Sequence, residues 1–184
     1  SLIDLKRTTD IDLSSMSFDS TGQPTFDGTN DSAVIGYVGG YSNQMTCEAV
    51  FKTSSGATWK NMLCGANGDI IFTVNGSKLN FGSQGSNPIP HANYSTTNVN
   101  DGNLHHGIAT YDGSQVKIYV DGVLESTNNR SGNQTPSSLR VGSNQTGNSE
   151  FFNGNIPLLK LYGRALSLEE VQQNYNVYKN RFDI

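Results

Sequence analysis

The sequence predicts an all-β fold, a sandwich of two antiparallel sheets with one short C-terminal helix. Asn, Ser, Gly and Thr make up 77 of the 184 residues, and these types favour turns over helix interiors. Short runs that alternate apolar and polar residues recur between the turns, as strands with one buried face do. The length suits one domain. We therefore predict a single domain over residues 1–184, with 1–17 as a lead-in and 167–182 as the helix.

The predicted strands are separated by strong turn signals. Met45–Thr53 carries an apolar side chain at every second position from Met45 to Phe51, which predicts a strand with a core-facing side. Further strands are predicted at Asp69–Val74, Gln115–Val120, Leu139–Val141 and Ile156–Tyr162. Tight hairpin turns are predicted at Asn75-Gly76, Asp112-Gly113 and Asp121-Gly122. Residues Ser83–Val99 show neither alternation nor helical periodicity and are expected to be irregular.

The C-terminal segment has the features of an amphipathic helix. Ser167 followed by Glu170 is a capping box. Lys179 and Arg181 stand near the end of the segment, where the helix dipole favours cations. The apolar stripe consists of Val171, Tyr175, Tyr178 and Phe182. We expect this helix to close one edge or end of the sandwich.

Composition excludes two classes of partner. The chain has 12 basic residues, a net charge of -4 and no cluster of Lys or Arg, so it lacks the electrostatic footprint of a nucleic-acid-binding protein. Its apolar runs are too short to insert in a membrane. No signal peptide is recognised. Because the chain begins at Ser1 without Met, we expect it to be processed or to be part of a longer protein.

The two cysteines leave two alternatives open. If Met45–Thr53 and Lys60–Gly65 form a hairpin about Ser54-Ser55-Gly56, Cys47 and Cys64 fall opposite one another. They are then either buried free thiols or a cross-strand disulfide, which would indicate an oxidising compartment.

An ordered series of motifs resembles the laminin-G-like, concanavalin A-like jelly-roll domains. The family's Trp before the paired histidines is replaced by Leu104. The matching segments, in chain order, are Phe26-Asp27-Gly28-Thr29-Asn30-Asp31, His105-His106-Gly107-Ile108-Ala109-Thr110-Tyr111-Asp112-Gly113, Ile118-Tyr119-Val120-Asp121-Gly122, Leu139-Arg140-Val141-Gly142, Phe152-Asn153-Gly154-Asn155-Ile156 and Leu161-Tyr162-Gly163-Arg164-Ala165-Leu166-Ser167. The series covers roughly residues 18 to 178, and it implies a two-sheet jelly roll.

The end of the chain is similar to the tails of such domains in virion proteins of tailed phages. The residues that carry this resemblance are Gln172-Gln173-Asn174-Tyr175-Asn176, Lys179, Arg181 and Phe182. This resemblance implies a non-catalytic binding and display module on a virion surface, with a glycan or another surface protein as partner and a possible homo-oligomer. One alternative is a secreted, extracellular bacterial carbohydrate-binding or adhesion domain. Another is a purely structural decoration or fibre protein without a sugar ligand.

The resemblance and the loop composition nominate two kinds of site. Members of the fold often hold one Ca²⁺ at the sandwich rim through oxygen donors, and the densest suitable cluster here is Asp27, Asn30 and Asp31. Sugar sites use aromatic faces together with amides and carboxylates. The aromatic candidates for sugar contact, in or beside loops or on an outer sheet face, are Tyr37, Tyr41, Trp59, Tyr94 and Tyr119.

Catalysis is not expected. Glycanases of this fold place two acidic residues close together on one strand, whereas Glu48 has no acidic neighbour within five residues. His105 and His106 are adjacent on a predicted strand, so their side chains point to opposite faces. We expect this pair to serve in packing and hydrogen bonding.

Overall fold

The computed structural model describes residues 11–36, 44–83, 92–130 and 138–184. In chain order its elements are β1 (Ile11–Asp12), β2 (Ser17–Phe18), β3 (Pro24–Asp27), β4 (Ala33–Ile35), β5 (Met45–Lys52), β6 (Lys60–Gly65), β7 (Ile71–Asn75), β8 (Lys78–Gly82), β9 (Asn93–Asn98), β10 (Leu104–Tyr111), β11 (Gln115–Val120), β12 (Val123–Asn129), β13 (Leu139–Val141), β14 (Asn153–Tyr162) and α1 (Leu168–Phe182).

The strands form two antiparallel sheets, as the sequence predicted. The first sheet has the order β1-β4-β13-β6-β7-β8-β9, and the second sheet has the order β12-β11-β10-β5-β14-β3-β2. Consecutive strands alternate between the sheets at several points, which is the jelly-roll pattern. Each sheet contributes one apolar face to a shared core.

The core confirms the alternation read from the sequence. Met45, Cys47, Ala49 and Phe51 of β5 are fully buried in it, while Glu48 lies on the opposite face of the same strand. The side chains that share a face on β11 also belong to the core: Val116, Ile118 and Val120. The hydrophobic effect therefore fixes the register of the central strands.

Three local predictions are corrected by the pairing. Asn75 pairs with Lys78, so the turn residues between β7 and β8 are Gly76 and Ser77, one position later than predicted. Asp112 N donates to Gln115 O, so the turn residues between β10 and β11 are likewise Gly113 and Ser114. Strand β9 occupies part of the stretch that was expected to be irregular; its hydrogen bonds to β8 form without an apolar alternation. By contrast, Asp121 (φ 49°) and Gly122 (φ 77°) both have positive φ, as the predicted type I′ turn requires.

The predicted hairpin between Met45–Thr53 and Lys60–Gly65 is wrong. β5 lies in the second sheet and β6 in the first, because the segment between them crosses from one sheet to the other. Cys47 and Cys64 are buried free cysteines. Burial raises the pKa of both thiols, that of Cys64 to about 12, so both are poorly reactive.

The helix begins as predicted but lies elsewhere. The hydroxyl of Ser167 accepts from Glu170 N, and the Glu170 carboxylate accepts from Ser167 N. However, α1 covers the outer face of the second sheet rather than an edge or end, since Val171 packs with Ile108 and Tyr119. No helix in the described ranges is both long and apolar enough to cross a membrane.

A candidate binding cleft at one rim of the sandwich

Six connections meet at one end of the sandwich, here called the rim. They are the loops 28–32, 53–59, 99–103 and 142–152 and the turns 76–77 and 121–122. Hydrogen bonds join several of them to one another or to β14: Gly102 N donates to Thr53 O (3.1 Å), Val99 N donates to Ser77 O (2.8 Å) and Thr53 Oγ1 donates to Asn153 O (2.6 Å). The rim therefore presents a connected surface on a rigid scaffold, which is where binding residues commonly lie.

A cleft of about 560 Å³ opens at this rim, beside the C-terminal end of α1. Its size lies in the range of small-ligand sites. Its lining combines carboxylates, an imidazole, an amine and two aromatic rings, provided by Lys52, Asp101, Asn103, His105, Asp121, Tyr175, Phe182 and Asp183. Such a set can accept and donate hydrogen bonds beside apolar ring surface.

His105 is held between two carboxylates on the cleft wall. Its Nδ1 lies 2.8 Å from Asp121 Oδ2, and its Nε2 lies 3.2 Å from Asp101 Oδ1. The other oxygen of Asp121 accepts from His106 N (2.8 Å). Because carboxylates are acceptors, a ring that bonds both of them carries two protons.

The electrostatics follow from these contacts. The hydrogen bond to Asp121 raises the pKa of His105 above its ordinary 6.5, although burial opposes the shift. Hydrogen bonds from the backbone and side chain of Asn103, and from His105, lower the pKa of Asp101. The carboxylates of the cleft wall therefore favour the protonated form of the His105 imidazole.

We expect the His105 pKa to fall in the variant Asp121→Asn, since the amide cannot stabilise the imidazolium as a carboxylate does. NMR titration of the imidazole measures this directly. Asp112→Asn, at the opposite end of β10, is the matched control and should leave the titration of His105 unchanged. An unaltered midpoint in Asp121→Asn would show that Asp121 does not hold the proton.

The same shift has a consequence for stability. Because the pKa of His105 is raised in the folded state, its protonation contributes to the free energy of unfolding in full below pH 6.5. That contribution is lost as pH rises through the pKa of the folded state.

A second polar cluster lies beneath α1 and is closed to ligands. Glu48 is fully buried. Its Oε1 lies 2.8 Å from His106 Nε2, and its Oε2 accepts from Tyr162 Oη (2.6 Å) and Asn174 Nδ2 (3.2 Å). The His106 ring stacks on Tyr175 with centroids 6.0 Å apart. These contacts of Glu48 and His106 anchor α1 to the second sheet. His105 and His106 point to opposite faces of β10, as the sequence predicted.

The aromatic candidates have different outcomes. Tyr37 and Tyr41 lie outside the described residues. Tyr119 was expected on an open outer face, and this is wrong: α1 covers the ring, which is 3% exposed. Trp59 is partly buried near the rim and has positive φ (55°), uncommon for a bulky residue. Tyr94 is 38% exposed, and its hydroxyl accepts from Asn75 Nδ2 (3.1 Å). Trp59 and Tyr94 remain predictions.

The calcium candidates occupy a loop at the rim. Asp27 Oδ1 accepts from Thr29 N (2.7 Å) and Asn30 N (3.1 Å), and Asp31 Oδ2 accepts from Asp27 N (3.0 Å). The first two bonds lower the Asp27 pKa. In the described ranges no group of three or more His, Cys, Asp or Glu residues is placed to hold a metal. Calcium binding here stays a prediction that needs further oxygen donors.

The sequence did not reveal the cleft as a site. His105 and Asp121 were visible only as parts of two fold motifs, and Tyr175 and Phe182 only as members of the helical stripe. The signal that could have found them is the positive-φ Asp121-Gly122 turn, since its carboxylate must project at the rim beside the start of β10. Asp101 and Lys52 had no distinguishing signal.

Two packed antiparallel sheets, a rim of polar loops and a helix on one outer face define a lectin-like jelly-roll domain. Residues 27–172 match the family model described as the concanavalin A-like lectin/glucanases superfamily. The chain belongs to this family, as the motif series implied. No curated protein sequence matches the chain.

Solved structures with the same fold include domains of several binding proteins. The binding domain of Paraclostridial Mosquitocidal Protein 1 has a TM-score of 0.77 at 12% identity, over 98% of this chain and 50% of that chain. Domain 4 of AbnA, an extracellular arabinanase from Geobacillus stearothermophilus, was solved in complex with arabinotriose. It has a TM-score of 0.66 at 18% identity, over 86% of this chain and 79% of that chain.

The receptor binding domain of botulinum neurotoxin D has a TM-score of 0.68 at 9% identity, over 92% of this chain and 48% of that chain. The present chain thus spans about half the length of the two toxin chains. At these identities the likeness shows the fold.

Proposed function

We propose that this domain is a non-catalytic module that binds a neutral, hydroxyl-rich glycan in the rim cleft. The observation that carries the proposal is the cleft itself, where Asp101, His105 and Asp121 stand beside the rings of Tyr175 and Phe182. Sugars present hydroxyl groups to acceptors and donors and apolar C–H surface to rings. The binding roles of the toxin domains, and the arabinotriose complex of the arabinanase domain, support this reading by analogy of fold.

The absence of a catalytic role is part of the proposal. Glu48, the acidic residue at the centre of the second sheet, is sealed under α1 by His106, Tyr162 and Asn174. Glycoside hydrolysis needs two carboxyl groups flanking an accessible bond. In the rim cleft the exposed carboxylate of Asp101 and the half-buried carboxylate of Asp121 are both engaged with the same imidazole, which favours a binding role over hydrolysis.

A glycan array followed by titration of the strongest hit tests this function. We expect Asp101→Asn to weaken the hit about tenfold or more, which corresponds to about 1.4 kcal/mol, because one acceptor of the cleft loses its charge. Tyr94→Phe is the control on the other sheet and should bind as the wild type does. If Tyr94→Phe weakens binding and Asp101→Asn does not, the sugar site lies at Tyr94 instead. If no glycan on the array binds, the purely structural alternative is favoured.

The same array also tests calcium. We propose that Asp27, Asn30 and Asp31 take up Ca²⁺ when a ligand supplies further oxygens. Binding that needs millimolar calcium, and is lost in chelator and in Asp31→Asn, is the expected result. Binding unaffected by the chelator would contradict it.

The proposed setting is a virion surface. The resemblance of residues 172–182 to the tails of phage virion domains supports this, with a glycan or a neighbouring surface protein as partner and self-association as one arrangement. Recovery of the chain among the proteins of purified virions is the expected observation. Recovery from a bacterial culture medium instead would favour the secreted alternative.

A further inference from the structure

A second and larger cavity lies on the far side of β14 from the rim cleft. Its volume is about 660 Å³. Its walls come from the inner faces of both sheets and are mainly aliphatic, including Met16, Ile35, Leu139, Leu159 and Leu161. An unfilled apolar cavity destabilises a protein because its lining loses packing contacts, and apolar walls give water few partners. An apolar occupant therefore suits this space.

The pairing of β14 explains how the cavity reaches the surface. β14 pairs with β3 only over Asn153–Asn155. From Ile156 onward, the β3-side edge of β14 has no strand partner in the part of the chain that the structure describes. The cavity passes around this edge, so its lining continues from Leu159 and Leu161 to Lys160 and Arg181.

The outer end of the cavity is positively charged although the chain is acidic overall. Lys160 donates to Tyr178 Oη, with its Nζ 4.9 Å from that ring centroid, and Arg181 lies over the ring of Phe182 at 5.1 Å. Among the described residues neither cation has a carboxylate within salt-bridge distance. The helix dipole favours a cation at Arg181. Lys160 lies opposite Glu48 of β5 and helps to lower the pKa of that carboxyl, but it forms no salt bridge with it.

We propose that this cavity binds a single-chain anionic amphiphile, a long-chain fatty carboxylate. Its alkyl chain lies between the sheets along the free edge of β14. Its carboxylate pairs with Lys160 and Arg181. The combination of a mainly aliphatic space with two cations at one end, neither of them in a salt bridge, matches such a molecule, because burial of each CH₂ group favours binding. The proposal is independent of the glycan function.

Calorimetric titration of the whole chain with monomeric dodecanoate tests the site. We expect one molecule to bind, with methyl NMR shifts at Leu139, Ile156 and Leu161. Dodecyltrimethylammonium, with the same chain and the opposite charge, should bind at least tenfold more weakly, and acetate should not bind. Equal affinity for both head groups, or no uptake of dodecanoate, would overturn the proposal.

Charge variants separate the site from general surface electrostatics. Lys160→Gln with Arg181→Gln should weaken dodecanoate about tenfold or more and leave dodecanol unchanged. Lys179→Gln with Lys117→Gln has the same net charge and should bind as the wild type does. Equal losses in both double variants would overturn the proposal. So would nuclear Overhauser contacts from residues 1–10 to the cavity methyls with no displacement by dodecanoate.

Discussion

Glu48→Ala is expected to lower the free energy of unfolding by about 3 kcal/mol or more, because it removes the acceptor of three hydrogen bonds under α1 and each buried donor left unsatisfied costs about 1–3 kcal/mol. The change leaves His106 Nε2, Tyr162 Oη and Asn174 Nδ2 without their shared acceptor. Each is enclosed between the second sheet and α1, where an unmatched donor retains its desolvation penalty. A urea titration followed by fluorescence measures the loss as a lower midpoint at similar slope.

Two companion variants distinguish a buried network from a simple loss of charge. Glu169→Ala removes an exposed carboxylate from the first turn of α1 and should cost far less. Glu48→Gln keeps the side-chain shape and one acceptor oxygen, so its decrease in the free energy of unfolding should lie between those of Glu48→Ala and Glu169→Ala. If Glu48→Ala unfolds no more easily than Glu169→Ala, the cluster does not anchor α1.

Replacing Glu48 should also change how the free energy of unfolding depends on pH in the acid range. Burial alone would raise the pKa of Glu48, but the hydrogen bonds from His106 and Tyr162, together with the electrostatic effects of His106 and Lys160, lower it. A lowered folded pKa stabilises the protein above the ordinary value near 4.5. That contribution is lost as pH falls through the folded value. Glu48→Gln should therefore show a shallower loss of stability below this pH than the wild type.

The fold was predictable because its determinants are local. The alternation on β5 and β11, the Asp121-Gly122 turn and the Ser167 capping box each act within a few residues, and the structure confirms them. The position of α1 was not predictable in the same way. The stripe indicates an apolar face, but its docking site depends on Glu48 and Tyr162, which are more than 110 positions apart in the sequence.

The candidate cleft was less predictable for the same physical reason. Asp101, His105 and Asp121 come together only because β10 and β11 pair and the 99–103 loop folds back through the bond from Gly102 N to Thr53 O. Tyr119 illustrates the opposite error. Strand alternation correctly placed its ring on the outer face, but alternation carries no information about what covers that face.

Gly154→Ala is the other substitution for which we expect a large loss of stability. Gly154 has φ of +143° and lies where β14 passes β5, and a Cβ there would overlap the carbonyl oxygen of Lys52. Since the neighbour is backbone, it cannot move aside as a flexible side chain does. Holding a non-glycine residue at such a φ costs about 1–3 kcal/mol, and overpacking adds about 1–3 kcal/mol.

Gly22→Ala isolates the two contributions. Gly22 also has positive φ (+79°), but a Cβ there would meet no atom within 4 Å, so that variant carries the backbone cost alone. The midpoint in urea should therefore fall further for Gly154→Ala, and the difference measures the clash with Lys52 together with the greater backbone strain at +143°. Gly154→Ala should also disturb the rim, because the adjacent Asn153 accepts from Thr53 Oγ1 and donates to Asp27 O. Equal midpoints for the two variants would mean that β14 shifts away from β5 at little cost, and that this crossing does not fix the rim.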